Sequence, residues 1–148
     1  MILYTLNGNT HNACGPAIRA WNADGQLRFE GYYLNGRCHN DHGPAIRHWN
    51  NSGQLIEEEY VLNESSHNTH GPAIRKWSDS GQLTYEEYRL NGESHNDHGP
   101  AIRQWDCYGK LVSESFYLHG KKVYESLELC NSTIIEVNGK KYRLVPED

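Results

Sequence analysis

The sequence predicts an all-β protein built from stacked β-hairpins. The first observation is a period: the four tryptophans lie 28 residues apart, and so do five leucines from Leu6 to Leu118. Thirteen of the 28 positions are identical in all four copies, and a period in this range is typical of stacked repeat architectures. The second observation is that no segment carries apolar residues at i, i+3, i+4 and i+7 over a useful length, which disfavours helix.

Each copy has the pattern of one hairpin. In the second copy, Pro44 begins the short strand "PAIRHW", "NNSG" is a turn, and "QLIEEEYVL" is the second strand. A polar loop that starts at Asn-Gly or Asn-Glu then leads to the next Gly-Pro. The four-residue turn ends on a glycine in every copy, and glycine tolerates a positive φ angle. These glycines are Gly25, Gly53, Gly81 and Gly109.

The pattern divides the chain into two parts. Residues 1–118 hold the four repeats, and "MILYTL" supplies a first strand. Residues 119–148 are predicted to be a C-terminal capping hairpin, because "IIEVNGKKYRLV" contains two strands around Asn138-Gly139, a strong hairpin signal. A stacked repeat needs such an atypical end unit to cover its last face.

Composition excludes several classes of function. The mean hydropathy is −0.83, yet ten tyrosines and four tryptophans argue against disorder. The net charge of −5 argues against a partner that is a nucleic acid polymer or a membrane surface. No segment approaches the roughly 20 apolar residues of a membrane span, and the start does not resemble a signal peptide. We therefore expect a cytoplasmic protein with four free thiols and no cofactor.

The repeated unit "LNG…HN…HGPAIR.W…G.L..E.Y" resembles the MORN repeat in its longer bacterial and viral variant, over about residues 2–120. The resemblance implies a stack of hairpins in an elongated, twisted antiparallel sheet, and it implies no enzymatic activity. Proteins with such repeats act in scaffolding, in lipid contact and as presumed antitoxin components. The family often has Asp before Gly-Pro, where this chain has Cys14 and three histidines.

Pairs of histidines recur in the loop before Gly-Pro. Imidazoles and thiolates are good zinc ligands, and two adjacent copies could supply four of them. However, an imidazole can also satisfy the backbone groups of a tight turn, and this need would recur in every hairpin. The second interpretation is favoured, so no metal site is predicted. The residues retained as metal candidates are His39, His42, His67, His70, His95 and His98, with His11 and Cys14 as a variant pair.

One arginine and one glutamate recur in neighbouring strands of each copy. Arginines beside tryptophans could clamp an anion. The matching count instead favours an Arg–Glu ladder within each hairpin, such as Arg47 with Glu58. The tryptophans are predicted to be core residues, because few other large apolar residues recur.

No catalytic motif is present, so the sequence predicts a non-enzymatic protein-interaction module that acts on a protein partner, such as a phage or antitoxin-like inhibitor. The positions that differ between copies, such as His48 and Lys76, would carry specificity. An open sheet edge favours a homodimer. The alternative is a binding protein for a nucleotide or another small anion. Its ligand-binding residues would be His39, Asn40, Arg47, His67, Asn68, Arg75, His95, Asn96 and Arg103.

Overall fold

The chain forms strands throughout the part that the structure describes. The computed structural model describes residues 1–125, 134–137 and 140–144, and within these ranges it contains strands and no helix. In chain order the strands are β1 (Ile2–Leu3), β2 (Thr5–Leu6), β3 (Asn9–Thr10), β4 (Ile18–Trp21), β5 (Leu27–Gly31), β6 (Tyr33–Leu34), β7 (Arg37–Cys38), β8 (Ile46–Trp49), β9 (Leu55–Glu59), β10 (Val61–Leu62), β11 (Ser65–Ser66), β12 (Ile74–Trp77), β13 (Leu83–Glu87), β14 (Arg89–Leu90), β15 (Glu93–Ser94), β16 (Ile102–Trp105), β17 (Leu111–Leu118), β18 (Lys121–Glu125), β19 (Ile134–Val137) and β20 (Lys140–Leu144).

The hairpins stack into one antiparallel sheet, which confirms the predicted fold class. The strand order is β1-β4-β5-β8-β9-β12-β13-β16-β17-β18-β20-β19. Within each unit the hairpin register shifts by a bulge just before the tryptophan, as between His48 and Trp49. Each unit therefore adds two strands to the sheet and pairs with the units on both sides.

The polar loop that the sequence predicts before each Gly-Pro contains a short hairpin of its own. These hairpins are β2–β3, β6–β7, β10–β11 and β14–β15. Asn35 has a φ of 51° and Gly36 a φ of 83°, the paired positive values of a type I′ turn. The third copy keeps this turn although Glu64 replaces the glycine, with a φ of 69°. The Asn-Gly dipeptide was thus a hairpin signal in its own right.

The core is thin and built from small residues. The four alanines of the Gly-Pro-Ala segments are completely buried, and Val61 and Val123 are the other buried hydrophobic residues of the described chain. The backbone of Ala45 is held on both sides, since its N–H donates to Glu59 O and its carbonyl accepts from Tyr32 N–H, both at 2.8 Å. The prediction that the tryptophans form the core is wrong. Trp21 is 37% exposed, and the other three are only partly buried.

The two ends continue the sheet. At the start, β1 pairs with β4, as "MILYTL" predicts. At the other end, β17 runs without interruption to Leu118 and pairs with β18 across a turn at His119 and Gly120. The predicted boundary at residue 119 falls in this turn. Strands β19 and β20 pair with each other as the sequence predicts, and β20 also pairs with β18. Their Asn138-Gly139 connection lies outside the described residues.

Candidate functional site

A charge ladder of alternating sign crosses one side of the sheet. In the register of the eight long strands, each arginine lies directly between two glutamates of neighbouring strands, except at the first strand. The ladder, in sheet order, is Arg19, Glu30, Arg47, Glu58, Arg75, Glu86, Arg103 and Glu114. We call this side of the sheet the ladder face.

The observed ion pairs correct the predicted partners in the inner units. Arg47 Nη1 lies 3.6 Å from Glu30 of the preceding unit, and Arg75 Nη1 lies 2.9 Å from Glu58. Pairs within one unit form at the two ends, where Arg19 contacts Glu30 at 2.8 Å and Arg103 contacts Glu114 at 3.1 Å. The 28-residue spacing places a glutamate in register with each inner arginine on both sides. The spacing therefore does not determine which glutamate the arginine pairs with.

Arg103 has the fullest set of partners. It bonds Glu86 at 2.7 Å in addition to Glu114. Burial alone would lower the pKa of Arg103, but its hydrogen bonds to the two carboxylates raise that pKa above the ordinary arginine value. The Arg103 guanidinium is therefore a fixed cation whose charge is balanced by the two neighbouring carboxylates.

The first histidine of each pair ties its loop to the following unit. Its Nδ1 accepts a hydrogen bond from the backbone N–H found 24 residues later, at 3.1–3.2 Å. The neutral ring must then carry its proton on Nε2, and in His39 this atom lies 3.1 Å from Asp41 Oδ2. The sequence predicts that this histidine bonds backbone groups of its own tight turn. The structure shows that it bonds the backbone of the next unit instead. The four bonds are Asn35 N–H to His11, Asn63 N–H to His39, Asn91 N–H to His67 and His119 N–H to His95.

The asparagine after this histidine closes the loop itself. Asn68 Nδ2 donates to Pro72 O at 2.9 Å, and Asn68 Oδ1 accepts from His70 N–H at 3.0 Å. Its own backbone N–H donates to Arg89 O in the next unit. The other three asparagines, Asn12, Asn40 and Asn96, make the same two side-chain bonds. Both the first histidine and the asparagine are therefore occupied by backbone groups.

The histidine pairs do not assemble a metal site in the described residues. No group of three or more His, Cys, Asp or Glu side chains there is arranged to hold an ion. The second histidine is exposed in the three copies that have one, and His70 Nδ1 lies 2.9 Å from Thr69 Oγ1. The four-ligand set from two adjacent copies, which the spacing suggested, is not brought together.

Three equivalent cavities lie along the ladder face, one at each junction between units. Their volumes are about 370, 400 and 420 Å³. Each is bounded by the His-Asn loops of two successive units, a tyrosine, a leucine and a ladder arginine. The nine predicted ligand residues line them in three sets: His39, Asn40 and Arg47; His67, Asn68 and Arg75; His95, Asn96 and Arg103.

The opposite side of the sheet carries a row of residues whose identity differs between units. The pairing register places them in one row across eight strands, which we call the variable row. Neighbours contact each other: the rings of Phe29 and His48 lie 4.9 Å apart, and Lys76 Nζ lies 2.8 Å from Glu57. The row is Ala20, Phe29, His48, Glu57, Lys76, Tyr85, Gln104 and Ser113.

A buried polar cluster lies beside this row, at residues that the repeat pattern does not single out. Glu87 is 2% exposed, and its carboxylate accepts hydrogen bonds from Tyr85 and Ser94 at 2.6 Å and lies 2.8 Å from Arg89 Nε. Burial alone would raise the pKa of Glu87, but the ion pair with Arg89 and the hydrogen bonds from Ser94 and Tyr85 lower it below the ordinary glutamate value. These four residues are not repeated together, so the period gave no signal for them.

Comparison with known proteins adds no relative. No protein-family model, curated protein or solved structure matches this chain. In the described residues, no helix has the length and apolar character needed to cross a membrane.

Proposed function

We propose that this chain is a non-enzymatic protein-interaction module that recognises a protein partner through the variable row. One observation carries the proposal. The polar groups that every unit repeats are engaged with each other or with the backbone, as in Arg75 with Glu58 and Asn68 with Pro72. On the other side of the sheet, eight residues at positions that differ between units form one continuous row, in which aromatic, acidic and basic side chains follow each other.

The chemistry of this row suits recognition of a folded protein surface. Phe29 and Tyr85 supply aromatic contact area, Lys76 and Glu57 supply opposite charges, and Gln104 supplies an amide. Interfaces draw much of their energy from aromatic residues, while charges select the partner. The likeness of the units to bacterial and viral MORN repeats supports a partner-blocking role of the antitoxin type.

Affinity capture with variants of altered charge tests the proposal. The tagged chain is used to isolate partners from its native host, and Lys76→Glu and Gln104→Glu are compared with the parent chain. Both side chains are exposed, so the fold should be retained, and we expect the captured partner to be lost. Lys110→Glu makes the same charge reversal in a turn away from the row and should retain the partner. Equal capture by all variants would contradict the proposal.

The cavities favour a second candidate, the binding of a nucleotide or another small anion on the ladder face. Each has a volume near 400 Å³ and an arginine in its wall. The ladder weakens this candidate, because each of these arginines already has a glutamate within 3.6 Å. Calorimetric titration with nucleoside mono-, di- and triphosphates distinguishes the two functions. Saturable heat that Arg75→Gln abolishes would support the anion site.

A further inference from the structure

The three cavities of the ladder face form a regular series. Neighbouring cavities share a wall: Asn40, Asp41 and His42 line both the first and the second, and Asn68 to Gly71 line both the second and the third. Because each unit adds two strands and adjacent strands lie about 4.8 Å apart, successive cavities repeat at roughly 9.6 Å. A ligand that fills more than one cavity must therefore have a chemical repeat close to this spacing.

Among the regular peptide conformations, polyproline II fits this spacing. It has three residues per turn and a rise of 3.1 Å, which gives a repeat of about 9.3 Å. Side chains on one face of an extended strand repeat at about 6.8 Å, and one turn of an α-helix at about 5.4 Å. The first and third cavities are two repeats apart, so the accumulated mismatch is roughly 0.6 Å, which side-chain adjustment can absorb.

The lining of each cavity also suits such a peptide. One tyrosine and one leucine form the apolar wall, as Tyr60 and Leu62 do in the second cavity. Aromatic-lined grooves are the usual recognition surface for proline-rich segments. Asp41 lies in the wall that the first two cavities share, and Asp97 lines the third; their side chains are 63% and 66% exposed. Since the arginines are opposed by glutamates, the charge that these loops offer a ligand is negative.

We propose that the ladder face binds a peptide segment in the polyproline II conformation, with one proline in each three-residue turn and a lysine or arginine in the turns that pass Asp41 and Asp97. The prolines enter successive cavities against the tyrosines, and the basic side chains lie beside Asp41 and Asp97. The intervening residues cross the shared loop walls. This site faces away from the variable row, so it does not depend on the partner proposed above.

Fluorescence anisotropy with synthetic peptides tests the spacing. A labelled peptide of about four turns with the repeat Pro-Ala-Lys is compared with a shuffled peptide of the same composition and with one in which glycine replaces each proline. We expect saturable binding of the regular peptide and binding at least about tenfold weaker for the other two. Equal affinity for the regular and shuffled peptides would overturn the proposal. So would binding of a β-linked oligosaccharide of similar repeat with no binding of any peptide.

Gly71 gives a direct way to block the series, since it lines both the second and the third cavities. A side chain there would begin 3.6 Å from Arg75 Nη2, an ordinary contact that the fold can accept. Gly71→Leu should weaken binding by roughly tenfold or more, while Lys76→Leu on the opposite side should not.

Asp41→Asn supplies a second readout if Gly71→Leu fails to fold. It should weaken binding several-fold and reduce its dependence on salt, because an attraction between opposite charges is screened by ions. Unchanged affinity and unchanged salt dependence in Asp41→Asn would contradict the proposed contact with the basic side chains.

Discussion

Glu64 is a residue whose side chain does not suit the backbone conformation of its turn. It occupies the second position of a type I′ turn with a φ of 69°, where the other short hairpins have glycine. A non-glycine residue in this region carries a cost of about 1 kcal/mol. Its ion pair with Arg37 spans 3.7 Å between exposed groups, and such pairs contribute little.

We therefore expect Glu64→Gly to raise the free energy of unfolding by about 1 kcal/mol, as measured by urea denaturation. The reverse change in the next unit, Gly92→Glu, provides the matched control. Its Cβ would meet only ordinary contacts, so the backbone angle alone should destabilise this variant by a similar amount. A Glu64→Gly variant that is less stable than the parent would contradict this account of the turn.

Cys38 should be the least reactive thiol of the described chain. Burial, followed by the nearby carboxylates of Glu59 and Glu64, raises the pKa of Cys38 to about 11, and only the thiolate is alkylated. Cys14 and Cys107 are exposed. Treatment with iodoacetamide near neutral pH, followed by peptide mapping over time, should label these two well before Cys38. Labelling of all three at one rate would show that the burial of Cys38 is wrong.

At the scale of the loop element, the two histidines of each pair are predicted to differ. His67 Nδ1 accepts the Asn91 N–H of the next unit, whereas His70 contacts its neighbour Thr69 and is exposed. His67→Leu should cost about 1 kcal/mol of unfolding free energy, the typical worth of one hydrogen bond. His67→Asn should recover part of it, because its side-chain oxygen can accept the same bond. His70→Leu should change stability by no more than about 0.5 kcal/mol, and equal losses at both positions would refute the distinction.

The cluster around Glu87 makes the third unit sensitive to acid. The folded-state pKa of Glu87 is below its ordinary value, so the unfolded chain binds this proton more readily. The stability that the carboxylate contributes is therefore complete above the ordinary glutamate pKa and is lost as pH falls through the lower folded value. Glu87→Gln should cost about 2 kcal/mol at neutral pH, and the difference from the parent should shrink at acidic pH.

The control for this pH dependence is Glu57→Gln, which alters a more exposed ion pair with Lys76. Surface pairs contribute up to about 1 kcal/mol, so this variant should remain close to the parent at every pH. Chemical denaturation across an acidic pH series measures both differences. A loss in Glu87→Gln that is the same at neutral and acidic pH would mean that the carboxylate is not the stabilising species.

For the whole molecule, the sequence predicted the architecture better than the site. The period, the turn glycines and Pro44 suffice for the stacked hairpins, because backbone geometry restricts which residues fit there. The partner of Arg47 was not predictable, since Glu30 and Glu58 are equally near in register and only packing selects one. The incomplete burial of the tryptophans was not predictable for a similar reason. Composition shows that large apolar residues recur, but not that the most deeply buried positions are held by alanine.

The stack should tolerate the loss of one complete unit. Stability in a repeat protein is approximately the sum of the units and of their nearest-neighbour contacts. Removing residues 62–89 deletes one 28-residue period and joins Val61 to Leu90. Leu90 then takes the position in the repeat that Leu62 now holds. Glu58 would then face Arg103 as it now faces Arg75. The bonds from Asn40 N–H to Val61 O and from Asn96 N–H to Tyr117 O lie outside the removed segment and would be kept. The ladder would keep its alternation of charge, although Glu57 would meet Gln104 in place of Lys76.

We expect this shortened chain to fold with a β-type circular dichroism spectrum and a single cooperative thermal transition, at a lower midpoint because one unit and its contacts are gone. The matched control removes residues 64–89, which leaves Leu62 and Asn63 in front of Leu90. This shifts every residue after the junction by two positions. The strands of the short hairpin then no longer pair in register, and the first histidine of the loop no longer meets the backbone N–H that it accepts. The control should lose the cooperative transition. Comparable melting of the two shortened chains would mean that register between units does not stabilise the sheet.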